Sequence, residues 1–132
     1  MEFLSQKKGF LGYDASQIVS PKVIVVPFGL EKTVSYGGGT KNGPKEIIKA
    51  SHQVELFDEE LNKEPYKEIG IKTLKPFSIK NKIKSALDQL SKINEDILSS
   101  DKFPSFRRRT LYYTWIYQAF YRKIRRNNTL TF

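Results

Sequence analysis

The sequence predicts an α/β fold with parallel strands, on three observations. "KVIVVPF", Lys22 to Phe28, is an unbroken apolar run rich in β-branched residues and closed by a proline, the pattern of a strand buried on both faces of a parallel sheet. "SIKNKIKSALDQLSKINEDILSS" repeats its apolar residues three and four apart, as an amphipathic helix does. Strand and helix patterns also alternate along the chain, which is the order that layers helices on a parallel sheet. A length of 132 residues and a 39% hydrophobic composition suffice for one domain or part of one.

Each element has its own local cause. After Phe28 the stretch "GLEKTVSYGGGTKNGP" is too rich in glycine for regular structure, so it predicts a loop at the carboxyl end of the first strand. "GPKEIIKASHQ" then places Pro44 at a first helical position, with Ile47, Ile48 and Ala50 as a short apolar face, and predicts a helix ending near Ser51 or His52. "EIGIKTLKPF" reads as a second short strand, with Ile69, Ile71 and Leu74 in near alternation. Ile79, Ile83, Ala86, Leu87, Leu90, Ile93 and Ile97 define the long helix, predicted from about Ile79 to Ser99. "DKFP" approaches a third strand, and the connections are expected to be right-handed.

The formal charge of +9 is unevenly placed. Seven of the 23 basic residues (Arg107, Arg108, Arg109, Arg122, Lys123, Arg125 and Arg126) follow Phe106 without a single acid, which leaves 16 against 14 before them. The chain is therefore a mixed-charge body, residues 1–104, followed by a basic and aromatic segment, residues 105–132. There is no cysteine, hence no disulfide framework, thiolate metal site or cysteine nucleophile, and a cytoplasmic location is expected. The N-terminal "MEFLSQKKGFLGYDAS" has no long apolar run after its lysines, so neither a secretory signal nor a membrane span is expected there.

Three features could carry chemistry. "YGGGTKNGP" invites comparison with a phosphate loop, but it lacks the lysine followed by serine or threonine of a P-loop, and its glycines do not fit the dinucleotide spacing. Its simpler reading is a connection whose backbone must bend sharply or lie close to something else. His52 is the sole histidine, and catalytic metal sites need several converging ligands, so a capping or packing role is expected. Glu55, Asp58, Glu59 and Glu60, like Asp88, Glu95 and Asp96 on the long helix, are spaced as solvated faces.

Taken whole, "VVPFGLEKTVSYGGGTKNGPKEIIKASHQVELFDEEL", Val25 to Leu61, resembles the N-terminal signature of the ureohydrolase (arginase and agmatinase) family and is most similar to agmatinases. In that family an apolar strand ending in V-P-F or V-P-Y precedes a loop of S-Y-x-x-G-T-x-x-G-P type, and a helix then leads into S-x-Q-x-E-x-Y/F-D. Pro27, Phe28, Ser35, Tyr36, Gly39, Thr40, Gly43, Pro44, Ile47, Ser51, Glu55 and Asp58 match. The resemblance extends more loosely to "DKFP", and implies part of a three-layer α/β/α arginase-like fold over residues 1–104. It further implies hydrolysis of agmatine to putrescine and urea, a step of polyamine synthesis, in a complete enzyme that is homo-oligomeric and uses two manganese ions. The family's metal ligands lie in three later motifs (glycine-glycine-acid-histidine-serine, D-A-H-x-D and D-x-D), and none occurs here. The resemblance thus assigns this chain no catalytic residue, no metal ligand and no specifically bound manganese. It assigns only a substrate-mouth loop: Ser35, Tyr36, Gly39, Thr40, Gly43 and Pro44.

Where the first metal motif is due, the chain reads "SFRRRTLYYTW". The second codon bases of Arg107, Arg108, Arg109, Thr110, Leu111, Tyr112 and Tyr113 are G, G, G, C, T, A and A. Those are the first bases required for Gly, Gly, Glu, His, Ser, Ile and Thr. Residues 105–132 are therefore expected to be an out-of-frame translation, a non-native basic aromatic helix or tail that binds neither a specific nucleic acid nor a membrane. Two rivals fit the composition. A small basic α/β protein could use the Arg- and Tyr-rich tail to track single-stranded nucleic acid, and "LYYTWIYQAFY" could lie in a membrane interface, being about half the length of a span. Neither explains why the change begins at the missing motif.

Overall fold

A computed structural model of the chain describes residues 1–14, 20–32 and 37–105. Of the predicted tail, residues 105–132, Ser105 is the last residue of a strand paired in the sheet, whereas residues 106–132, like Ser35 and Tyr36 of the predicted loop, lie outside the described residues. Three short strands, β1 (Val23–Val25), β2 (Ile71–Thr73) and β3 (Phe103–Ser105), form a parallel sheet in the order β2-β1-β3. Val23 pairs with Ile71 on one side and with Phe103 on the other. The helices are α1 (Gly43–Ser51), α2 (Pro65–Ile69) and α3 (Ile83–Ser99).

The core follows from the alternation of β1. Ile24 and Val26 are buried and meet Ala86, Leu87, Leu90 and Ile97 of α3, while Leu30 and Leu74 close the cluster. Val25 points the other way and shares a cavity with Ile47 and Ile48 of α1. The sheet thus lies between α3 and α1, a partial α/β/α arrangement. Because that second face is only partly covered, Val23 and Val25 are half-buried, where the apolar run had predicted burial on both faces.

Two boundaries differ from the sequence-based expectation. The long helix starts at Ile83, not Ile79, because the side chain of Gln89 accepts the Lys80 N–H and donates to the Ser78 carbonyl, holding the lead-in outside the helix. Ile79 still packs on the core, while Ile83 is exposed. Ile69 belongs to α2, which Gly70 terminates at φ 63°, so β2 begins only at Ile71.

The N-terminal segment has a role that periodicity did not reveal: it covers the outer edge of β2. Leu4 N–H donates to Thr73 O, Phe3 bridges Leu74 in antiparallel sense, and Lys75 N–H donates to Glu2 O. Farther along, the Tyr13 hydroxyl donates to Ile71 O at 2.6 Å and accepts the Ile71 N–H at 3.0 Å, and Phe10 N–H donates to the Thr73 hydroxyl. Few backbone groups of that edge are left to recruit another strand.

Candidate functional site

From β1 the chain crosses to β2 on one side and then returns past β1 to β3 on the other. In open α/β sheets such a reversal leaves a crevice outside the carboxyl ends of the two diverging strands, where ligands bind. A cavity of about 560 Å³ occupies that position, lined by Phe10, Val25, Pro27, Ile47, Ile48 and Ser105 among others. Its wall is mostly aliphatic and aromatic.

The glycine-rich loop borders this crevice. Gly39 adopts φ 108°, a left-handed backbone that suits glycine, and caps a 3-10 turn over Thr40–Asn42 that runs directly into α1. Gly43 opens that helix and Pro44 follows at its start, where a missing N–H costs nothing. Of the predicted loop residues, Pro44 lines the cavity, while Gly39 and Thr40 are exposed at the loop surface.

What holds the loop is a residue that sequence reasoning passed over. The Glu31 carboxylate accepts the Gly39 N–H on Oε1 and the Lys41 N–H on Oε2, each at 2.9 Å. These backbone donors, Lys41 first and then Gly39, hold the Glu31 carboxyl below its ordinary pKa. Two loop amides that could have faced a phosphate are thus occupied by the chain's own anion. Gly29 matters equally, because a β-carbon there would lie 2.2 Å from the Lys41 carbonyl oxygen. An acid just ahead of a run of glycines, which offer many free N–H groups, was the available signal.

His52 caps the end of α1, and its Nε2 lies 2.7 Å from Gly9 O. Its ring also packs on Gly12, so the packing role expected of it is the one it has. Asp58 accepts the Leu61 N–H and exchanges backbone hydrogen bonds with Lys63 in a turn. Glu55, Glu59, Glu60, Asp88, Glu95 and Asp96 are exposed. Among the described residues no group of three or more His, Asp or Glu side chains is placed to hold a metal ion. The described residues therefore do not fit a manganese centre, and no step can be routed through one here. Among them, too, no helix is long and apolar enough to cross a membrane.

The profile of the arginase family matches residues 21–107. The N(1)-aminopropylagmatine ureohydrolase of Synechocystis sp. is 39% identical over 82 residues, which cover 61% of this chain and 27% of that protein. The chain thus spans about a quarter of the length of the curated relative it matches. No solved structure matches it.

Proposed function

The chain belongs to the arginase family, and on that premise we propose that it is the N-terminal part of an agmatinase-type ureohydrolase whose complete form converts agmatine and water to putrescine and urea. The observation that carries this is the coincidence of the matched span with the β1–β3 crevice. The match ends at residue 107, two residues beyond β3, and the resemblance implies that the family's first metal motif is due directly after that strand. The named relative acts on an agmatine derivative, which supports a guanidine carried on an aliphatic amine as the substrate class. Manganese, a cytoplasmic location and homo-oligomerisation are proposed for the complete enzyme on family grounds.

Residues 1–132 lack the metal motifs and are proposed to be inactive, with residues from about 105 onward translated out of frame. The proposed parts are 1–104 as ureohydrolase and about 105–132 as the out-of-frame tail, with Ser105 still pairing in β3 and the family match running to residue 107. Sequencing the DNA across codons 100–140 tests this. The expected result is a neighbouring frame reading Gly-Gly-Glu-His-Ser from the position of Arg107; an unbroken frame with no such motif beside it would sink the frameshift. Restoring that frame should then yield manganese-dependent urea release from agmatine.

A further inference from the structure

Glu31 reaches eight and ten residues ahead and uses both carboxylate oxygens on the loop backbone. The backbone it holds has few other choices. Gly39 is left-handed, Asn42 N–H donates to Gly39 O, and the Lys41 carbonyl lies against Gly29 with no room for a side chain between them. Immediately downstream, Pro44, Ile47 and Ile48 form the α1 wall of the crevice. The placement of that wall therefore depends on where residues 39–42 sit.

We propose that Glu31 is a positioning residue: its carboxylate latches the glycine-rich loop onto the exit of β1 and so fixes the α1 wall of the crevice. The functional meaning rests on the crevice being the substrate mouth, whereas the latch itself does not. A carboxylate suits the task because two converging N–H donors need two acceptors. Glutamine is nearly the same shape but would accept one N–H and turn its own NH2 against the other. Among the described residues, the charged neighbour of the carboxylate is Lys41 of the same loop.

The test is amide and methyl NMR on the intact chain, comparing the wild type with Glu31→Gln. In the wild type the Gly39 and Lys41 amide signals should shift together as pH falls, with one midpoint below the ordinary glutamate value, and the Ile47 and Ile48 methyl signals should follow them. In Glu31→Gln those signals should be flat with pH, and hydrogen exchange at Gly39 and Lys41 should be several-fold faster, while the Leu74 amide, bonded to Val25 O in the sheet, keeps its protection. Amide signals that do not titrate, or that titrate equally in Glu31→Gln, would overturn the latch. Titrating amides with unmoved Ile47 and Ile48 methyls would overturn its control of the wall. Should Glu31→Gln fail to fold, the wild-type titration decides alone. None of these outcomes depends on urea release or on the codon reading, so the latch and the ureohydrolase assignment fail separately.

Discussion

Tyr13 is buried at 4% exposure, and its hydroxyl serves both backbone groups of Ile71 while also accepting from Gln6. Tyr13→Phe leaves the Ile71 N–H without this acceptor and is expected to cost about 1–3 kcal/mol in urea unfolding. Burial, the largest influence, raises the Tyr13 phenol above its ordinary value of 10.0 despite opposing hydrogen bonds. Since the folded value exceeds the unfolded one, the stabilisation is complete below the unfolded value and lost as pH rises through the folded one. The wild type should therefore lose more stability than Tyr13→Phe at alkaline pH, read from urea midpoints across the tyrosine range. Gly29→Ala should cost about 1–3 kcal/mol by the same assay, because the Lys41 carbonyl must move. Neither role was legible in the sequence. A phenol bonding a strand 58 residues away and a glycine beneath a carbonyl are long-range facts, without a local pattern.

Elements were more legible than residues, and unevenly so. The spacing of Ala86, Leu87, Leu90 and Ile97 identified the core face of α3, because burial of a helix leaves a periodic trace. The same pattern could not foresee that Gln89 would hold Ser78 and Lys80 outside the helix, nor that Asn94 would be buried at 1% exposure with neither amide atom partnered among the described residues. Asn94→Leu, close in shape and needing no hydrogen bond, should stabilise the chain by about 1–3 kcal/mol. Leu90→Ala should destabilise it by about 2–5 kcal/mol, since Leu90 is 2% exposed at the centre of the cluster. The N-terminal segment was missed for the opposite reason. It pairs through single bonds and side chains, so no alternating run announces it.

At the scale of the molecule, residues 1–132 should release no urea from agmatine with added manganese, measured against the frame-restored protein. Manganese-dependent turnover by residues 1–132 themselves would refute the inactive fragment. Deleting residues 1–13 should produce concentration-dependent association in size-exclusion chromatography, because it removes the groups bonded along β2. The sealed flank also bears on biogenesis. Domains begin folding from their N-terminus as they are synthesised, and here the first strands to emerge would already be closed on one flank. In the proposed complete enzyme, any later strand would find its open edge at β3, so assembly would have a built-in polarity. Each newly made strand would meet a single rim, and docking on the wrong side would be blocked before the polypeptide was finished.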